Sequence, residues 1–183
     1  SMSSASARIA LVISSLGHRI ANLFEPIFYI VALVLPVELG MPYEDVLMLV
    51  VAGKLLYGLA APFAGWLGDR WSTLGMMAVF FIGLGLSALA AGLAQGPVQL
   101  AVALGLLGLF GSIYHPVGIA WLVRNAVNRG QAMGVNGVFG GMGPAAAALV
   151  AGVLFETVGG RSAFILPGVG VRVTGARFGC MVH

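Results

Sequence analysis

The chain has 183 residues, of which 60% are hydrophobic and 8% are charged, and its mean hydropathy is +1.02. Because soluble domains carry about 25% charged residues, this composition excludes a soluble globular domain, a disordered chain and a coiled coil. It also excludes a disulfide scaffold, since Cys180 is the single cysteine, and nucleic-acid binding, since the nine Lys and Arg residues are dispersed. The composition therefore predicts an all-α, polytopic membrane protein.

Five apolar segments are long enough to cross a bilayer, which takes about 20 mostly apolar residues. In chain order they cover residues 11–35, 45–67, 74–94, 98–123 and 132–155. A sixth segment, residues 162–171, offers only about ten apolar residues interrupted by Pro167, which is about half of a hydrocarbon core. We therefore predict a helical bundle of five transmembrane helices plus an incomplete sixth, preceded by a cytoplasmic N-terminus (1–10) and followed by an irregular tail (172–183).

The Lys and Arg residues of the short loops predict the orientation of the bundle. If the N-terminus is cytoplasmic, the cytoplasmic side holds Arg8, Arg70, Arg124 and Arg129, and the outer side holds Arg161. This bias predicts an integral membrane protein with its N-terminus inside, in a bacterial inner (plasma) membrane. The sequence does not fix the side of residues 172–183.

One stripe of polar residues runs along the first predicted helix. At 100° per residue, Ser14, His18, Asn22, Glu25 and Tyr29 fall within an arc of about 80°. Ionisable residues at membrane depth are costly and generally face a cavity or a partner. The stripe therefore indicates a substrate or proton path, with hydrogen bonding between packed helices as the alternative.

Two further ionisable residues lie inside predicted membrane helices. Lys54 is at a depth similar to that of Glu25, so the two either form an ion pair, which would lower the cost of burying each, or face a water-filled cavity separately. His115 is a candidate proton carrier, because imidazole exchanges a proton near physiological pH, or a structural histidine bonded to a carbonyl group. Pro116 beside it is predicted to bend the fourth helix.

The fifth predicted helix is rich in glycine. Gly137 and Gly141 form a GxxxG pair, and Gly143 and Pro144 follow them. Small residues let helix backbones approach closely, so we predict tight packing of this face; a bending or sliding helix is the functional interpretation of the same pattern. The sequence contains no arrangement of nucleophile, base and acid and no metal-ligand motif, so we expect no catalytic residues, no metal site, no cofactor and no enzyme activity.

Residues 65–72 read Gly-Trp-Leu-Gly-Asp-Arg-Trp-Ser. This stretch resembles the G-x-L-x-D-R loop between helices two and three of the major facilitator superfamily, with Gly65, Asp69 and Arg70 at the motif positions. Gly65 and Asp69 match the helix-packing and helix-capping parts of that motif. The pattern departs from the family at residues 72–74, where the family continues with Gly, Arg and a basic residue.

Three further stretches resemble the same superfamily. Residues 137–144 resemble the glycine–proline signature of helix five found in its exporters, and residues 159–164 resemble the usual start of its helix six. Tyr114–Gly118 resembles the HPxG element of the fosmidomycin-resistance branch. Together these matches cover most of residues 8–168.

The resemblance implies the N-terminal half of a secondary transporter that has two six-helix halves and binds its substrate between them. It implies proton-coupled efflux of a small molecule, in contact with the lipid bilayer and with a second half-transporter chain or a second copy, and without nucleic acid. The candidate path residues are, for proton coupling, His18, Glu25 and His115 and, for substrate contact, Asn22, Tyr29 and Lys54. The alternative is a truncated or frameshifted fragment without transport activity, or a small membrane partner protein, because residues 170–183 lose the apolar pattern.

Overall fold

The structure, a computed structural model, describes residues 4–159 and 162–182, which form six helices and no strand. The helices are α1 Ser4–Leu39, α2 Tyr43–Arg70, α3 Thr73–Leu93, α4 Pro97–Asn125, α5 Arg129–Val158 and α6 Ser162–Val182. A π-helical turn, Tyr114–Gly118, lies within α4. Gly160 and Arg161, which belong to the predicted start of the sixth helix and to the orientation argument, lie outside the described residues.

Three helices in the described part of the chain are long and apolar enough to cross a membrane, namely α2, α3 and α4. The 21 residues of α3 rise about 32 Å, which matches the thickness of a hydrocarbon core. The outer face of α2 presents large apolar side chains, including Met48, Leu59 and Phe63. An outer surface of this kind suits lipid, and the protein is a helical bundle of the membrane.

Helix α3 lies at the centre of the core. Its side chains Phe80, Phe81 and Leu84 are fully buried, together with Leu104 and Leu107 of α4. Helix α3 packs along α4 and α6, α1 packs along α5, and α2 packs along α4. This arrangement brings α1, α2 and α4 together around the polar residues that the sequence singled out.

The sixth helix is longer than the sequence predicts. The chain is helical from Ser162 to Val182, so the expectation of an irregular tail is wrong for residues 172–182. The reason is close packing on α3: a Cβ atom on Gly85 would lie 2.9 Å from the carbonyl oxygen of Gly168, and one on Gly175 would lie 2.8 Å from Cβ of Phe81. Such close packing can hold a helix that is only weakly apolar, and α6 is not among the described helices that are apolar enough to span a membrane.

Candidate functional site

A cavity of about 220 Å3 opens between α1, α2, α3 and α4. Its wall is mostly apolar, and four polar side chains reach it: Glu25, Lys54, Tyr57 and His115. The apolar and small wall residues are Ala21, Phe24, Phe28, Leu84, Leu107 and Gly111. Clefts with an apolar wall and a few converging polar groups are typical of small-molecule sites, so this cavity is the candidate site.

Glu25 and Lys54 form an ion pair at the edge of this cavity. Nζ of Lys54 lies 3.2 Å from Oε1 of Glu25 and donates a second hydrogen bond of 2.8 Å to Oη of Tyr29. The same ammonium group lies 4.4 Å from the centre of the Tyr29 ring, a cation–π contact. Glu25 and Tyr29 are one helical turn apart on α1, which is why both reach one side chain of α2. The structure confirms the ion pair that the sequence left as one of two alternatives.

The polar stripe of α1 divides into two parts. Glu25 and Tyr29 contact α2, whereas His18 and Asn22 contact α5. Nδ1 of His18 lies 3.0 Å from the main-chain oxygen of Asn136 and 2.8 Å from its Oδ1. Nδ2 of Asn22 donates a 3.0 Å hydrogen bond to the carbonyl oxygen of Gly140. At the end of the stripe that contains His18 and Asn22, the polar side chains form hydrogen bonds between helices. At the other end, Glu25 belongs to an ion pair beside the cavity.

A closed network of buried hydrogen bonds joins α1, α4 and α5. Ser14, Tyr114 and Asn136 have no exposed surface. Nδ2 of Asn136 donates to Oγ of Ser14 at 3.0 Å and to Oη of Tyr114 at 2.9 Å, and Oγ of Ser14 donates to the carbonyl oxygen of Gly118 at 3.2 Å. Buried polar groups require such partners, and these bonds fix the relative positions of the three helices next to His18.

His115 connects the network to the cavity. It lines the cavity, and its ring centre lies 5.5 Å from that of His18 and 5.3 Å from that of Tyr114. It belongs to the π-helical turn, which contains Pro116. Proline lacks the N–H group that an α-helical turn needs, and such widened turns are frequent at functional sites. At Pro116, where the sequence predicts a bend of the helix, the structure has a π-helical turn.

The glycines of α5 pack differently from the prediction. Gly137 and Gly141 are exposed, and a Cβ atom on either would meet nothing within 4 Å, so the expected GxxxG contact is absent from the described residues. Gly140 and Gly143 carry the packing instead. A Cβ atom on Gly140 would overlap the His18 ring, and one on Gly143 would lie 2.7 Å from a carbonyl oxygen of α1. Helix α5 turns this second pair toward α1, and it continues as helix through Pro144.

The loop between α2 and α3 keeps the packing part of its motif. A Cβ atom on Gly65 would lie 3.2 Å from Cβ of Pro116, so this position allows α2 to approach α4. The side chain of Arg70 stacks on Trp66, with Cζ 4.7 Å from the ring centre. Asp69 does not cap α3, which corrects the expectation. The cap is Ser72, whose Oγ accepts a 3.0 Å hydrogen bond from the main-chain N–H of Gly75.

Asp69 forms an ion pair instead. Its Oδ1 lies 3.1 Å from Nη1 of Arg124, at the end of α4, and Nη2 of Arg124 donates a 3.0 Å hydrogen bond to Oγ1 of Thr73. A side chain distant in sequence therefore supplies a positive charge to this loop, which lacks the basic residues usual after the motif. The contact places the α2–α3 loop and the end of α4 at the same end of the bundle, as the orientation argument requires.

Sequence reasoning missed Tyr57, Tyr114 and Asn136 as members of the site. Tyr57 follows Lys54 by three residues on α2, a spacing that could have placed both on one face. Asn136 is a lone amide in an otherwise apolar and glycine-rich stretch, which is itself a signal. Among the described residues, no three His, Cys, Asp or Glu side chains come close enough together to hold a metal ion.

Two comparisons with known proteins bear on this site. The model of the Major Facilitator Superfamily matches residues 9–178. Puromycin resistance protein pur8 of Streptomyces alboniger is 31% identical over 122 residues, which cover 65% of this chain and 24% of that protein. The chain thus spans about a quarter of the length of this curated relative.

Proposed function

The chain belongs to the major facilitator superfamily of membrane transporters, and on this premise we propose that it forms half of a proton-coupled exporter of small organic molecules. The observation that carries the proposal is the cavity. A carboxylate, an ammonium group, a phenol and an imidazole converge there on an apolar wall between α1, α2, α3 and α4. Such groups are costly at membrane depth, and they commonly mark substrate and proton pathways.

Roles are proposed for three of the polar cavity side chains and for polar neighbours of the cavity on α1. Glu25, His18 and His115 exchange protons, because a carboxylate and an imidazole can each bind and release a proton. Lys54 pairs with the carboxylate of Glu25 and is itself bonded to the hydroxyl of Tyr29, and both Lys54 and Tyr29 contact the substrate.

Asn22 lies one turn from His18 on α1 and contacts the substrate in a conformation in which its bond to α5 is released. The phenyl rings of Phe24 and Phe28 supply the apolar surface against which an organic molecule packs.

The relative from Streptomyces alboniger is named for puromycin resistance. We therefore take puromycin as the first substrate to test on this chain. Its aromatic and amine groups suit a wall of phenyl rings with a carboxylate at its edge.

The remaining parts of the proposal concern the setting of the chain. The arginine-rich side of the loops supports a cytoplasmic N-terminus, and the Streptomyces relative supports a bacterial inner membrane. Transport requires a second half, because alternating access moves two halves about a shared site, and another copy of this chain and a second half-transporter chain are candidates for it. The proposal assigns no enzyme activity and no cofactor to the chain.

Flux of labelled puromycin into liposomes tests this function. The liposomes contain the wild-type chain and carry an imposed pH gradient, and protein-free liposomes and a proton ionophore serve as controls. We expect uptake that requires the gradient and that falls at least about a hundredfold in Glu25→Gln, the lower end of the range for a group that acts in proton transfer. Uptake equal to that of protein-free liposomes would contradict the proposal and leave the chain as a membrane partner without transport of its own.

A further inference from the structure

The contacts of His18 determine which of its two nitrogens carries the proton when the ring is neutral. Nδ1 faces two carbonyl oxygens, Asn136 O at 3.0 Å and Asn136 Oδ1 at 2.8 Å. A carbonyl oxygen can only accept a hydrogen bond, so Nδ1 must donate. A neutral imidazole has one N–H group, and Nε2 is then the acceptor nitrogen.

The orientation of the Asn136 amide is fixed by its other bonds. Its two N–H groups are directed at Oγ of Ser14 and Oη of Tyr114, at 3.0 and 2.9 Å. Turning the amide over would remove both donors from these buried hydroxyl groups and direct an N–H group at His18. The main-chain oxygen of Asn136 cannot turn over, and at 3.0 Å it is a second, more distant acceptor for Nδ1.

The packing of α5 holds the imidazole against these acceptors. Gly140, one turn after Asn136, has no side chain, and a Cβ atom there would overlap the ring. On the α4 side the ring of Tyr114 stacks on His18 with its centre 5.2 Å away. The ring is therefore confined between α5 and α4 in one orientation.

We propose that Asn136 is a positioning residue that holds the proton of neutral His18 on Nδ1 and leaves Nε2 as the nitrogen that exchanges protons. This inference rests on the proposed function insofar as it gives His18 a part in proton transfer. Protonation at Nε2 leaves the Nδ1–H bond to Asn136 intact, so a proton enters and leaves without breaking the contact between α1 and α5. His115, whose ring centre is 5.5 Å from that of His18, lies between this ring and the cavity.

The titratable groups near His18 come from three helices. Tyr114 and His115 face it from α4, Glu25 follows it on α1, and Lys54 and Tyr57 of α2 line the adjoining cavity. The residues with which α5 faces it, Asn136 and Gly140, are uncharged. Hydrogen bonds to α5 therefore hold the proton on Nδ1. The charged side chains, Glu25 and Lys54, lie at the cavity.

Nitrogen-15 NMR of histidine-labelled protein in lipid bilayers tests the assignment, because the two tautomers give different shifts at Nδ1 and Nε2. The His18→Gln variant identifies the His18 signals. In the wild type we expect the Nδ1–H form of neutral His18 to exceed the Nε2–H form by at least about fivefold, the effect of one net hydrogen bond. An excess of the Nε2–H form in the wild type would overturn the proposal.

Variants separate the side chain of Asn136 from the fold around it. In Asn136→Ala the ratio should fall to below about twofold, whereas in Ser14→Ala, which leaves both acceptors of Nδ1 in place, it should not change. Asn136→Asp keeps the shape and the acceptor, so Nδ1 should keep its proton even if the alanine variant fails to fold. An unchanged ratio in Asn136→Ala, or loss of the proton from Nδ1 in Asn136→Asp, would refute the positioning role. A wild type that holds the Nδ1 proton but carries no puromycin would refute the transport function alone.

Discussion

The ion pair between Glu25 and Lys54 makes a quantitative prediction about stability. At 3.2 Å and an effective dielectric constant of about 20, the attraction between two unit charges is about 5 kcal/mol. Solvent reduces this value, because 29% of the Lys54 side chain and 58% of the Glu25 side chain are exposed. In its exposure, the Glu25–Lys54 pair is intermediate between two kinds of ion pair. A fully exposed pair contributes about 0.2–1 kcal/mol, and loss of one partner of a buried pair costs about 3–5 kcal/mol. We therefore expect a coupling energy of about 1–2 kcal/mol.

A double-mutant cycle measures this coupling. Thermal unfolding in mild detergent is compared for the wild type, Glu25→Gln, Lys54→Met and the double variant. Each single variant leaves one charge without its partner, so the second substitution should restore part of the stability that the first removes. Additivity of the two changes within about 0.3–0.5 kcal/mol would refute the reasoning.

The second ion pair of the chain is a matched control. Asp69 and Arg124 have a similar separation of 3.1 Å, but 68% and 50% of their side chains are exposed. The corresponding cycle, Asp69→Asn with Arg124→Gln, should give a coupling of about 0.2–1 kcal/mol. If the two coupling energies were equal, the cavity would not shield the Glu25–Lys54 pair from solvent, contrary to our expectation.

Three further predictions concern packing and capping, and thermal unfolding checks each. Gly140→Ala should destabilise the chain by about 1–3 kcal/mol, because its Cβ atom overlaps the half-buried ring of His18, whereas Gly137→Ala has open space and should cost nothing; equal effects would contradict the packing of α5. Ser72→Ala should cost about 0.5–2 kcal/mol through loss of the helix cap, and no change would contradict the cap. Tyr114→Phe should cost about 1–3 kcal/mol by leaving a donor of Asn136 without its acceptor, and a neutral result would show that the network has another partner.

Most of the fold follows from hydropathy. The five apolar runs predicted from the sequence coincide with the first five helices of the structure, except that Ala94 lies one residue beyond the end of α3, because a bilayer-length apolar run has few structural alternatives. Residues 172–182 were beyond this reasoning, since their helix depends on glycine contacts with α3, a helix far away in the sequence. The resemblance to the fosmidomycin-resistance branch at Tyr114–Gly118 stays a prediction.

The site was predictable where its residues share one helix. Glu25 and Tyr29 are one turn apart, and their periodicity indicated a common face before any partner was known. Asn136 contacts His18 across 118 residues of sequence, so no local period connects them. The same limit explains the glycines of α5, because sequence spacing shows that a small-residue face exists but not which face turns toward α1.

Proton movement driven by puromycin tests the central claim most directly. Liposomes that contain the wild-type chain and a pH-sensitive dye are mixed with puromycin, and the internal pH is followed. We expect a pH change in the wild type and in Glu44→Gln, an exposed acid at the start of α2, and its loss in Glu25→Gln. A pH change that persists unaltered in Glu25→Gln would contradict proton coupling through this cavity.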